Sequence, residues 1–207
     1  LAELLKALDQ EENIAAAYAR QLPNAECSFV ERYTRAFNYP DTSLVKTKAD
    51  LDKYGIKTFF CSNVCAAYKK DIYEKQGGFV RRTIFNEDMI YAGGLIQAGY
   101  GIAYAAEARV IHSHNYNCMQ QFHRNFDLGV SQAEHPEIFE GVPSEGEGMR
   151  LVKKTLAYLI HSGRIWLIPG FVLQCAGKYA GYLAGKKFRK LPKKFILWCT
   201  MSPNYWK

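Results

Sequence analysis

The stretch NEDMIYAGGLIQAGYGIAYAAEARVI, residues 86–111, constrains the fold more than any other part of the chain. Met89, Ile90, Leu95 and Ile96 give a helix one buried side, and Gly99 stands where a helix C-terminus needs a residue free of a Cβ. Tyr100 to Ala105 and Ala108 to Ile111 then read as strands. A helix joined to a strand by so short a connection belongs to an α/β layer fold.

The rest of the first 117 residues repeats the alternation. Leu1 to Leu8 is an amphipathic helix, Ile14 to Ala19 a short apolar strand, and Glu26 to Phe37 a helix that Pro40 stops, with Phe29, Tyr33 and Phe37 at spacing four. Asp41 to Tyr54 reads as loop with one helical turn, Ile56 to Phe60 as a buried strand, and Val64 to Tyr68 as extended. Lys70 to Lys75 is a short helix ended by Gly77-Gly78. From Cys118 the strand signals stop, and Met119 to Ser131 and Met149 to His161 are helical. The expected organisation is an α/β part over residues 1–117 and a helical extension over 118–207.

Charge divides the chain in the same sense. None of the 20 acids and 12 of the 27 Lys and Arg residues lie after Glu147, so an acidic body precedes a basic tail. The six cysteines form no CxxC pair, which excludes a zinc knuckle or a thioredoxin motif and reads as reduced thiols in a reducing compartment.

Four groups could carry chemistry. Asn86 offers an N-cap, and Glu87 and Asp88 then suit the helix dipole, but a carboxylate in a cleft can also act as a general base. Neighbours on a helix point roughly 100° apart, so the two acids are no close dyad. His112 and His114 share one face if extended, and could ligate a divalent metal, touch a phosphate, or be plain loop residues. Asp50-Leu51-Asp52 has the letters of a metal–diphosphate motif, but no apolar strand precedes it, so it reads as a loop or helix start. Ser62-Asn63 follows an expected strand, where α/β folds line their ligand crevice, or is a simple turn.

Taken together, SNVCAAYKKDIY, then GGF, then NEDMIYAGGLIQAGY, then a strand and VIHSHNY resemble the family 2 glycosyltransferases. YARQLP, FNYP, GIKTFFCSNVCAAY and HPEIF bring the resemblance nearest to the bacterial rhamnosyltransferase-like group, from about Ile14 to the early 150s. The resemblance implies the C-terminal half of a GT-A fold (Rossmann-like, with a mixed sheet), followed by a helical basic extension. It implies that Asp88 removes the proton of an acceptor hydroxyl, which attacks a nucleotide-activated sugar with inversion. Glu87, Asn63 and the Gly77-Gly78 turn, Gly78 included, would line the acceptor side, and His112 or His114 would reach the metal or the diphosphate. A divalent ion, Mg or Mn, would be held mostly by an N-terminal part whose nucleotide-binding strands and acidic motif are not in this chain. On that reading the chain alone is inactive. Many members also carry an Arg where this chain has Ala92-Gly93-Gly94.

The implied partners are a nucleotide-sugar donor and a saccharide or lipid-linked acceptor in bacterial surface polysaccharide synthesis. All three Trp lie after residue 160, among Lys, Arg, Phe and Tyr. That mixture suits either an interfacial helix on the inner face of the cell membrane or a packed extension with a solvated basic face. The apolar run from Ile165 to Ala176 is too short and broken to span a bilayer. No nucleic-acid motif accompanies the charge. The rival from another class is a non-catalytic membrane- or carbohydrate-binding module without a donor site.

Overall fold

The computed structural model describes residues 1–142 and 145–207. They form two compact units, one of Leu1–Arg81, Glu87–Asn115 and Gly141–Leu151, the other of Arg82–Asn86, Tyr116–Glu140 and Val152–Lys207.

The first unit is α/β. Its strands are β1 (Ile14–Leu22), β2 (Leu44–Lys46), β3 (Ala66–Tyr68) and β4 (Gly101–Ile111), in the order β2-β4-β1-β3. β1 and β4 run parallel, while β2 and β3 flank them antiparallel. Every residue from Ile14 to Ala19 is buried, as a central strand covered on both faces requires. Helix α1 (Ala2–Leu8) inserts Leu4, Ala7 and Leu8 into the core with Ala17, Ala19, Ala103 and Ala105. Further along come α2 (Phe29–Asn38), capped by Ser28, then α3 (Leu51–Tyr54) and α4 (Lys70–Lys75). The helix of the opening stretch, α5, covers Glu87–Gln97. Gly99 closes it at φ +91°, with Tyr100 donating to the Leu95 carbonyl, so the expected C-terminal glycine is in place.

The structure departs from the reading above in four places. The run Ile56 to Phe60 is no strand: Gly55 turns at φ +52°, and Gly55–Phe59 is a 3-10 helix that buries Thr58 and Phe59. A five-residue apolar run does not by itself tell a buried strand from a buried helical turn, and β3 takes the place beside β1. Leu44–Lys46, read as loop, is β2. The two strands expected after Gly99 are one, with a register irregularity between its Ala105 and Arg109 pairings that accounts for the polar break at Glu107. Asn86 stands at φ +61° rather than in the extended region typical of an N-cap, and its side-chain nitrogen is buried without a partner among the described residues.

The second unit is helical. It holds α6 (Cys118–Glu134) and α7 (Pro136–Phe139), then the end of α8 (Glu145–His161), α9 (Ile168–Lys186) and α10 (Lys193–Cys199). Asn117 and Gln120 form a reciprocal capping box on α6. α9 lies close on α6 through Gly177, Gly181 and Gly185; a Cβ at Gly181 would stand 2.2 Å from the Phe122 carbonyl oxygen. The buried Asp127 of α6 accepts hydrogen bonds from Thr200 Oγ1 at 2.6 Å and the Met201 N–H at 3.0 Å, tying the end of the chain to the helix. Among the described residues no helix is long and apolar enough to cross a membrane.

Candidate functional site

Three loops of the first unit gather where the parallel strands β1 and β4 end, the edge at which α/β sheets place their ligands. Gln21, near the end of β1, donates to Ser62 Oγ at 2.7 Å and accepts from Arg35, so the 61–63 loop is anchored to the strand. His112, just past β4, donates its N–H to the Leu22 carbonyl. Ser113 accepts from the Asn24 N–H and Asn115 from the Ser28 N–H, at 3.2 and 3.1 Å, which joins the histidine loop to the entry of α2.

The N-terminus of α5 is clasped to this edge by Asn63. The backbone N–H of Asn63 donates to Asp88 Oδ2 at 3.2 Å, and its side-chain Nδ2 to Glu87 Oε1 at 3.3 Å. Two acids that point in different directions are thus held by two donors of one residue. Asp88 Oδ1 also accepts the Met89 N–H at 2.7 Å, so the acid supplies an acceptor to the first turn of the helix. Half-buried, Asp88 has its carboxyl raised above the ordinary carboxylate value, first by burial and also by the charge of Glu87. The backbone N–H groups of Asn63, Met89 and Asp88 itself oppose that rise without cancelling it. A carboxylate of this kind holds a proton more readily than a solvated one, as a general base must.

Below the loop lies a charged group that sequence reasoning passed over. Lys46 of β2 is buried, with Nζ donating to the carbonyls of Lys57, at 3.0 Å, and Phe60, and lying 4.8 Å over the Tyr18 ring. Burial pushes its amine down to about 7. Lys46 fixes the backbone immediately before Cys61-Ser62-Asn63. Nothing in the sequence marks it, because a lysine on a three-residue strand looks like an exposed edge charge.

Beside the clasp is a cleft of about 330 Å³ between the 76–81 turn and α5, in the size range of small-ligand sites. Phe79, Arg81, Tyr91 and Gly94 are among its lining residues, and an added Cβ at Gly94 would meet nothing. Gly78 lines it too, at φ +66°, and a Cβ there would lie 2.8 Å from the Tyr73 ring. A side chain in that turn would be strained.

The expected site residues therefore divide. Asp88, Glu87 and Asn63 are joined by hydrogen bonds, and Gly78 lines the adjacent cleft. His112 and His114 do share a side, their ring centroids 4.5 Å apart. Two imidazoles offer fewer ligands than an octahedral ion takes, and the described residues contain no cluster of three or more His, Cys, Asp or Glu able to hold a metal. Asp50 instead accepts from Thr47 N and Oγ1 in a capping box, a structural role.

No protein-family model matches the chain, and no solved structure matches it. Two curated proteins do. The chain is 43% identical over 207 residues to the O-antigen chain rhamnosyltransferase WbaN of Salmonella anatum, covering 99% of this chain and 65% of that protein. It is 43% identical over 196 residues to the O-antigen chain rhamnosyltransferase RfbN of Salmonella typhimurium strain LT2, covering 93% of this chain and 62% of that protein. The chain thus spans less than two thirds of the length of either relative, and is related to proteins named as glycosyltransferases of O-antigen synthesis.

Proposed function

We propose that this chain is the acceptor-side part of an inverting, family 2 glycosyltransferase of GT-A fold, acting in bacterial O-antigen synthesis. Residues 1–117 are its α/β portion and 118–207 its helical extension. The substrates are a nucleotide-activated rhamnose and a saccharide or lipid-linked acceptor. The observation that carries the reading is the Asn63 clasp, which sets a half-buried carboxylate of raised pKa at the C-terminal edge of the parallel strands, beside a cleft. The 43% identity to two rhamnosyltransferases supports the choice of reaction.

In this mechanism Asp88 accepts the proton of the acceptor hydroxyl through the lone pairs left over from Asn63 and Met89. The freed oxygen forms a bond to the anomeric carbon as the bond from that carbon to the diphosphate breaks, and the nucleoside diphosphate leaves. Glu87 and Asn63 orient the acceptor, and the Gly78 turn shapes the cleft that receives it. His112 or His114 would be this chain's contribution to holding a divalent ion, Mg or Mn, or the diphosphate, with the remaining ligands supplied by a part outside this chain. Such an ion offsets charge on the leaving group. The site works at the inner face of the cell membrane, with the basic tail against the lipid.

The test is transfer from nucleotide-activated rhamnose by the complete protein with Mg²⁺, comparing wild type with Asp88→Asn. Removing a general base should lower turnover by about 100-fold or more, with donor binding retained. Turnover within a few-fold of wild type would return the acid pair to a helix-start role and move the search for the base to Glu87 or the histidines, whereas no transfer by the wild type would favour the non-catalytic binding module. Clear preference for another nucleotide sugar would overturn the rhamnosyl assignment alone.

A further inference from the structure

Asn63 is exposed, yet both of its donors are aimed at acids. The side-chain donor is aimed by Tyr68, the last residue of β3. Its hydroxyl donates to Asn63 Oδ1 at 2.7 Å, which turns Nδ2 of the same amide toward Glu87. With the tyrosine proton committed to Asn63, the hydroxyl oxygen can take the thiol of the buried Cys61, whose Sγ lies 3.6 Å away. The ring of Tyr68 backs the wall of the cleft. Its ring packs edge-on against Phe79 and Tyr91, centroids 5.4 and 5.6 Å apart, and both of those residues line the cleft. Tyr73 completes the cluster, and its own hydroxyl accepts the Phe79 N–H. One side chain therefore spans from the wall of the cleft to the amide that holds the acid pair.

We infer that Tyr68 is a positioning residue, orienting Asn63, and through it Glu87 and Asp88, in register with whatever occupies the cleft. The inference rests on the proposed reading of Asp88 as the base. Tyr68 touches neither acid by a hydrogen bond. It acts by keeping the Asn63 loop in the one conformation that presents both donors, a pre-organisation that an exposed asparagine lacks on its own.

The consequence is a change in pH profile. The titratable groups that face Asp88 are Glu87 on its own helix, and Cys61, Tyr39 and Tyr68 from the elements packed against it. The Asn63 N–H favours the charged carboxylate; a loosened loop weakens that bond and lets the Asp88 pKa rise further. A base must be deprotonated to act, so the acid limb of the rate profile moves to higher pH.

The experiment compares kcat and KM across pH for wild type, Tyr68→Phe, Asn63→Ala, the double variant and Asp88→Asn, in the complete protein with nucleotide-activated rhamnose and Mg²⁺. Tyr68→Phe keeps the ring and its packing, so the fold is retained. The expected result is a fall of about two- to ten-fold in kcat, the worth of one hydrogen bond, with donor KM unchanged and the acid limb displaced upward. The double variant should then behave like Asn63→Ala alone. An inactive Asp88→Asn together with an unshifted Tyr68→Phe profile, or additive effects in the double variant, overturns the positioning role and leaves the base assignment standing. An active Asp88→Asn overturns both.

Discussion

Lys46 holds its ammonium inside the first unit with two backbone carbonyls and an aromatic face as partners, and among the described residues no carboxylate is paired with it. Its folded value, about 7, lies below the ordinary 10.5, so between those pH values the unfolded chain binds more of this proton than the folded one does. The Lys46 contribution to stability therefore rises as pH climbs from about 7 toward 10.5, and is flat below that window. Denaturant unfolding at pH 7 and pH 9 should show this increment in the wild type. Lys46→Met should abolish it, and should lower stability at pH 9 by about 1–3 kcal/mol, since two buried carbonyls lose their donor. An increment that survives the substitution would assign the titration elsewhere. Gly78 is the other demanding residue. Gly78→Ala imposes a left-handed φ on a side chain that also strikes the Tyr73 ring, so it should narrow the cleft and raise acceptor KM more than donor KM.

Between elements, the contact of α6 with α9 is set by what is missing from three side chains. Gly177, Gly181 and Gly185 recur every fourth residue, which puts them on one helix face. At Gly181 and Gly185 the opposing atoms are backbone carbonyls, of Phe122 and Phe126, and these cannot swing away. Gly177 opposes the thiol of Cys118, which can. Gly181→Val should accordingly destabilise the second unit by about 3 kcal/mol, at the upper end for overpacking, whereas Gly177→Ala should cost about 1 kcal/mol or less. Urea unfolding of both variants checks the ordering, and equal effects would mean that the helices separate freely. Asp127 adds a pH-dependent tie, its carboxyl raised to about 6 by burial despite its two donors.

At the scale of the whole molecule, the tail that carries the positive charge also leaves large apolar groups in solvent: Trp166 is 67% exposed, Leu173 62% and Trp198 54%. On α9, Val172, Leu173, Ala176, Tyr179 and Ala180 are exposed at helical spacing, away from the glycine face. Lys186, Lys187, Arg189, Lys190, Lys193 and Lys194 follow in sequence. An apolar stripe followed by a basic cluster is the composition of a surface-lying helix. The protein should co-sediment with vesicles containing phosphatidylglycerol and be released by salt at about 0.5 M, where screening is short-ranged. Equal binding to phosphatidylcholine vesicles would leave only hydrophobic adsorption, and no binding would make the stripe a contact for something other than lipid.

Much of the layer fold was legible locally. α1, α2, α4 and α5 announce themselves by a 3.6-residue period with a cap, a Pro or a Gly at an end, and β1 and β4 by apolar runs. The acid pair was legible as a pattern, at the start of α5, whereas Asn63 was singled out for following a strand that the structure replaces with a 3-10 turn. What local pattern could not decide was whether Ile56 to Phe60 is strand or 3-10 turn, because a short buried run looks the same in either state. Nor could it mark Lys46 or Gln21 as supports of the 61–63 loop, because each reaches it from a strand that only the folded sheet brings near. The sequence by itself determined the longer helices of the first 161 residues, where the charge lies and which residues could act as acid or base. Only the tertiary structure decided that one asparagine would hold both acids, since hydrogen bonds 24 and 25 residues apart in the chain depend on where the sheet places their ends.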